Sequence, residues 1–325
     1  FKEYTTLRLI FLKYVPLTKT IILISLFQIS VTHFYKVPFG FFLPYYAFAQ
    51  TKVESPRSDN NHRLENFLKS TEGRDDWTRL MLAILNGVPA VERVLNQGVR
   101  VNIRGTNEFP GVTPLMFASR IGEQITVELL IEKGARLNDT DSHGKTALIY
   151  ATDKGHLETV KYLIMKGANP NAETIQKWTA LMFASDKGHV EILKTLMSHG
   201  ARVDLQNNFG MSAMMYAAQS GHFEIVKLLL DKGAKIDSIS QNGSTALIWA
   251  TRSGYEKIAE LLIEKGANTD SLENEFKRSP ILLAAMYGRE TIVQKLYVVD
   301  KNQVNIVTET LDMYSKRAEF DREKD

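Results

Sequence analysis

Apolar residues recur along most of this chain at the spacing of one helix face. In "HLETVKYLIMKG" (156–167), Leu157, Val160, Leu163 and Ile164 fall on one side, with Glu158 and Lys161 on the other. That period, near 3.6, predicts an amphipathic helix. A shorter, alanine-bearing run, "TALIYATDKG" (146–155), precedes it. It opens on a residue type that caps helices and closes on one that ends them, which predicts a helix of about two turns. A polar stretch then follows, and the pattern starts again.

It restarts at a fixed distance. Thr113, Thr146, Thr179, Ser212 and Thr245 are each 33 residues apart. Five positions further on stand Ala118, Ala151, Ala184, Ala217 and Ala250, and nine further on Gly122, Gly155, Gly188, Gly221 and Gly254. The second helix of each unit ends on Gly134, Gly167, Gly200, Gly233 or Gly266, always followed by alanine. Such a period marks one supersecondary unit that buries its apolar flank against its neighbours. The hydroxyl at the start caps orphan amides, and Pro114 sits at a first helical position where no hydrogen bond is lost. The alanines keep the helices thin enough to pack closely. Glu158/Lys161, Glu191/Lys194 and Glu224/Lys227 are i,i+3 pairs on a solvated outer face.

These units resemble the ankyrin repeat, whose pattern is D-x-x-G-x-T-P-L-H-L-A-A-x-x-G-H-x-E-x-V-x-x-L-L-x-x-G-A-x-x-N. "HGKTALIYATDKGHLETVKYLIMKGANPN" (143–171) follows it almost throughout. Imperfect copies begin at Thr78 and at Ser279, as capping units do. The resemblance implies an all-α solenoid of about seven stacked helix-turn-helix repeats with hairpin-like tips, over residues 76–305. Two departures carry expectations. The family's histidine at the fourth position is Met116, Ile149, Met182, Met215 and Ile248 here, so apolar packing replaces its hydrogen bonds. The tip glycine, present as Gly144, Gly210 and Gly243, is Lys177 and Lys277 in two tips, which are expected to adopt another turn.

The first 49 residues differ from all that follows. Five basic residues there stand against Glu3 alone, so the net charge of +3 for the whole chain belongs to this segment and the rest is close to neutral. A neutral body lacks the broad basic face that nucleic-acid binding uses. Apolar runs cover about 21–31 and 37–49, the second ending in "YYAFAQ" with Ala47 and Ala49 placed as in an A-x-A cleavage site. The layout reads as a secretory signal, with cleavage after Ala49 and a periplasmic or secreted product. A 49-residue leader exceeds the usual length of roughly 15–30 residues. No Met precedes Met81, so part of 1–30 is read as lying upstream of the initiation point. The other reading is a membrane anchor over 21–49. Residues 50–75 read as a polar linker and 306–325 as a charged tail.

Catalytic chemistry finds little support. The chain has no cysteine, which excludes disulfides and thiol chemistry, and no H-E-x-x-H, G-x-S-x-G or P-loop pattern. His156, His189 and His222 recur once per unit. Stacked units lie about 8–10 Å apart whereas zinc ligands sit about 2 Å from the metal, so they cannot share an ion. They read as structural residues at the helix–helix turn. Asp153 and Asp186 also recur, but no enclosing apolar pocket surrounds them in the pattern. The aromatic series Phe117, Tyr150, Phe183, Tyr216 and Trp249 reads as a stacked core seam, or as a groove if the ring edges are exposed. No cofactor and no metal are expected.

The resemblance implies a protein-binding scaffold, acting as a monomer through its concave face. Matching contact positions on the inner helices are Arg120, Asp153, Asp186, Gln219, Arg252 and Tyr287. Those at the tips are His143, Lys145, Trp178, Phe209, Met211 and Phe276. Binding energy concentrates in large aromatic and arginine anchors, which singles out Trp178, Phe209, Arg120 and Arg252. An exported interaction protein is the leading expectation. An effector acting on a host protein, and a substrate platform of an enzyme, are the alternatives.

Overall fold

The computed structural model describes residues 74–299, except 107–108 and 275–276. The leader, nearly all of the linker and the tail lie outside the described residues. Fourteen helices follow in pairs among the described residues. They are α1 (Asp76–Leu85) and α2 (Val88–Asn96), α3 (Pro114–Ile121) and α4 (Gln124–Glu132), α5 (Ala147–Lys154) and α6 (Leu157–Met165), and α7 (Ala180–Lys187) and α8 (Val190–Ser198). After these come α9 (Ala213–Ser220) and α10 (Phe223–Asp231), α11 (Ala246–Ser253) and α12 (Glu256–Glu264), and α13 (Pro280–Met286) and α14 (Glu290–Val299). The odd-numbered helices form an inner row, each packed on the next, and the even-numbered ones an outer row behind it.

Each inner helix starts and stops as its sequence dictates. The hydroxyls of Thr146 and Ser212 accept hydrogen bonds from the backbone N–H three residues on, both at 3.3 Å, and their counterparts do the same. Gly155 ends α5 in the left-handed region at φ +78°. The helices then pack on largely apolar faces, with the hydroxyls of Ser119, Thr152, Ser185 and Thr251 buried among them. The alanine row is fully buried, and Met116, Ile149, Met182, Met215 and Ile248 are each at most 1% exposed, so apolar packing does replace the family's histidine. Of the three outer-face ion pairs, Glu158–Lys161 and Glu191–Lys194 form at 2.7 and 2.9 Å. Glu224 and Lys227 do not close to ion-pair distance, which fits the small net gain of such exposed pairs.

Three rows of contacts lock each repeat to the next. At the helix–helix turn, His156 Nε2 donates to the Arg120 carbonyl and His222 Nε2 to the Asp186 carbonyl, both at 3.0 Å. His189 bonds the Asp153 backbone in the same way. These rings reach back one whole repeat and lie over its cap glycine. A Cβ on Gly155 would stand 2.8 Å from His189 Cε1, and one on Gly188 2.6 Å from His222 Cε1. At the foot of the outer helices, Asn138, Asn171, Asp204 and Asp237 each accept, through Oδ1, a backbone N–H of the following repeat at 2.8–2.9 Å. At the tips, Ile175 N–H donates to the His143 carbonyl, Asn208 to Gln176, Gln241 to Phe209 and Asn274 to Asn242, at 2.8–3.0 Å.

One tip corrects an expectation and the other meets it: the Lys177 tip closes three residues back as the glycine tips do, whereas Lys277 N–H donates to the Glu273 carbonyl four residues back at 3.0 Å. Lys177 and Lys277 occupy the left-handed region at φ +59° and +51°, as the tip glycines do. The turn is set by hydrogen bonds on both sides of it: Lys177 N–H donates to the Thr174 carbonyl at 2.8 Å, just as Gly210 N–H donates to Asn207 at 2.9 Å. That closure outweighs the roughly 1–2 kcal/mol that the conformation costs an L-residue.

His189 carries a pH dependence. Burial is the main cause that holds His189 below its ordinary value of 6.5; Lys187 and His222 add to it, and the bond to the Asp153 backbone and the Asp153 charge oppose it. The unfolded chain therefore takes up a proton near pH 6.5 that the folded chain resists. The His189 contribution is complete above about pH 7 and shrinks as the pH falls through 6.5. Urea midpoints measured from pH 8 to pH 5 are expected to drop over that window, and His189→Gln to flatten part of the drop. An unchanged slope in the variant would remove His189 from the account.

Candidate functional site

Between the inner helices and the tips runs one continuous face, and its shape comes from a buried polar residue in each tip. Asp141, Thr174, Asn207 and Ser240 are all buried. Asp141 Oδ1 accepts the N–H groups of His143 and Lys145, each at 2.8 Å, which closes the turn. Its Oδ2 accepts the Tyr150 hydroxyl at 2.7 Å. Asn207 repeats the arrangement, accepting from Phe209 and Met211 N–H at 2.9 and 3.0 Å while its Nδ2 donates to Tyr216 Oη at 2.7 Å. Thr174 Oγ1 accepts Trp178 N–H at 2.9 Å. In two repeats each tip is thus tied to the ring beneath it. Burial drives the Tyr216 phenol well above the usual tyrosine range, with the Asn207 bond opposing in part. That hydroxyl stays neutral and structural.

The aromatic series is stacked, as the sequence suggests, and its edges are partly open. Tyr150 and Tyr216 are 9% and 8% exposed, whereas Phe117, Phe183 and Trp249 are only half-buried. In two repeats the residue just before the capping hydroxyl wedges between successive rings. Trp178 lies 4.9 Å from the Phe183 ring centroid and 4.3 Å from that of Tyr216. Lys145 places Nζ 5.4 Å from the Tyr150 centroid and 5.0 Å from that of Phe183.

The structure sorts the contact positions chosen from the pattern. His143 and Phe209 stand exposed at their tips, Phe209 at 52%. Trp178, Lys145, Arg120, Asp153, Asp186 and Gln219 are half-buried along the face. Asp153 pairs with Lys154 at 3.8 Å; Asp186 pairs with Lys187 at 2.9 Å and accepts from Ser220 Oγ at 3.2 Å. Neither carboxylate is held in a shared enclosed site. Arg252 is committed to the fold, pairing with the buried Glu273 and stacking 5.2 Å from the Trp249 centroid. Tyr287 is exposed, at the C-terminus of α13. Phe276 lies outside the described residues. Met211 is a correction: at 6% exposure it is core rather than surface, because it fills the wedge position that Trp178 fills one repeat earlier.

Sequence reasoning passed over three tip residues. Ile175, Ile239 and Leu272 are 68%, 60% and 46% exposed. The signal was present, since each is aliphatic where other tips carry Ser, Asn, Gln, Thr or Glu. Among the described residues, no group of three His, Asp or Glu side chains is placed to hold a metal ion.

A family model described as "Ankyrin repeats (3 copies)" matches residues 80–174, 167–240 and 232–308. No curated protein matches the chain. The match spans most of the chain, and the protein belongs to the ankyrin repeat family.

Proposed function

We propose that this protein is an exported, non-catalytic scaffold that holds a partner protein against the face formed by its inner helices and tips. Ankyrin repeats are generally protein–protein interaction modules, and proteins built from them are typically non-enzymatic. One observation carries the reading for this chain: a row of partly open rings, Trp178, Phe183 and Trp249, lies on the inner face with exposed Phe209 at a tip. Aromatic surface of this kind, held rigid by the stack, supplies contact area at little entropic cost and is where binding energy concentrates. Export is supported by the signal-like leader, with the mature chain starting at Gln50.

Crosslinking in the native cell followed by identification of the captured protein supplies the partner. Trp178→Ala is then expected to weaken its capture by about tenfold or more, Phe209→Ser to weaken it less, and Lys161→Ala on the outer face to leave it unchanged. Equal loss from the outer-face variant, or no loss from either of the others, would place the partner elsewhere. The intact mass of the protein recovered from its native compartment tests export. A mass starting at Gln50 agrees with it, and a mass retaining 1–49 contradicts cleavage.

A further inference from the structure

Lys145 stands where three other repeats place an apolar side chain, Val112, Trp178 and Met211, and Met211 is buried there. The remaining counterparts are the buried Ser244 and Arg278, whose charge meets the buried Glu273. The stack therefore accepts an unbranched apolar side chain in this wedge and has no need of a charge. At Lys145 the wedge holds an ammonium between the faces of Tyr150 and Phe183. Among the described residues no acceptor lies within hydrogen-bond reach of Nζ. The rings attract the cation but leave its three N–H donors unused. The nearest carboxylates are occupied. Asp141 is taken up by two backbone N–H groups and the Tyr150 hydroxyl, and Asp153 faces Lys154. Burial is the main cause that holds Lys145 below the usual lysine range; Lys154 and Arg120 add to it, and Asp153 and Asp141 oppose it only in part. A half-buried cation with idle donors, held between two rings, is the mark of a group awaiting an anion.

We propose that Lys145 reads a carboxylate on the docked partner, so that the partner presents an acidic segment to this face. The side-chain carboxylate accepts from Nζ, and an apolar side chain of the same segment rests on Trp178, which fills the equivalent wedge one repeat further on. Adjacent repeats lie about 8–10 Å apart and an extended chain advances about 3.3–3.6 Å per residue. The acidic and apolar residues of the segment therefore stand about three positions apart. The inference rests on the reading of this face as the docking surface.

A display library of random peptides, selected in parallel on the full chain, on Lys145→Met and on Trp178→Ala, tests it. Met is the side chain the stack already uses at this position, so Lys145→Met is expected to fold with unchanged or higher stability. Peptides carrying Asp or Glu about three residues from an apolar residue are expected to enrich on the full chain and to lose at least about tenfold in affinity on Lys145→Met. Replacing that Asp or Glu by its amide in a synthetic peptide is expected to do the same. Saturation with the acidic peptide is expected to raise the pKa of Lys145, read by NMR of the dimethylated amine, which a structural role alone would not do. Enriched peptides with no acidic preference, bound equally by Lys145→Met but weakly by Trp178→Ala, would overturn the role of Lys145 and leave the docking face standing. Peptides indifferent to both variants, or no enrichment at all, would overturn the docking face as well.

Discussion

From the third repeat onward, each repeat is held to the one before it by a ring or fork laid over a glycine. The cap glycine must be left-handed to end its helix, and must lack a Cβ so that the next repeat can approach. His156, His189 and His222 fill that space over Gly122, Gly155 and Gly188. Tyr255 and Arg289 fill it over Gly221 and Gly254. Because three side-chain types serve, the contact is first of all steric, and the histidine bond to a backbone carbonyl refines it. Both requirements fall on one residue, so a substitution there loosens helix end and stacking together. Stability in such an array is a sum of unit and neighbour terms, and this contact recurs in the neighbour term from α3 to α14.

The same contact determines what the protein can present. Fixing the helix–helix turns fixes the spacing of the inner helices, and the tip bonds from His143 to Asn274 carry that spacing to the exposed edge. A continuous face results, made of side chains whose positions are set one repeat at a time. Within it the fold uses some groups for itself, such as Arg252, Met211 and Tyr216, and leaves others open, such as Phe209, Trp178 and Lys145. The difference lies in partners rather than in residue type: Arg252 is paired with Glu273 behind it, whereas Lys145 lies between two rings with no carboxylate at ion-pair distance among the described residues.

Much of the fold was legible because it repeats. Five copies of a capping hydroxyl, a buried alanine and two glycines mark every helix end, since local caps and left-handed residues are properties of the residue itself. The tips were less legible. Lysine at position 177 suggests a different turn only if the residue governs its own backbone, and there the hydrogen bonds on either side govern it; at Lys277 the turn does differ, closing on Glu273 one residue further back. The site was the least legible part. Position in the pattern identified the face but could not separate Met211 from Lys145, which share one register, because what decides between core and surface is the size and charge of the side chain against its neighbours' rings. Ile175, Ile239 and Leu272 show the converse, being apolar yet exposed.

The docking of one repeat onto the cap glycine of another is tested most directly by a double-mutant cycle of Gly155→Ala and His189→Ala, read by urea unfolding, with Gly167→Ala as the reference for backbone strain alone. Nothing lies within 4 Å of a Cβ added at Gly167, which has a comparable φ of +95°. Removing the ring should relieve the clash that the new methyl creates, so the two effects at 155 and 189 should be less than additive by about 1 kcal/mol, and Gly155→Ala alone should cost more than Gly167→Ala. Additivity within about 0.3–0.5 kcal/mol, with the two glycine variants equally destabilised, would show that the ring and the glycine do not meet and that the stack is held together by something else.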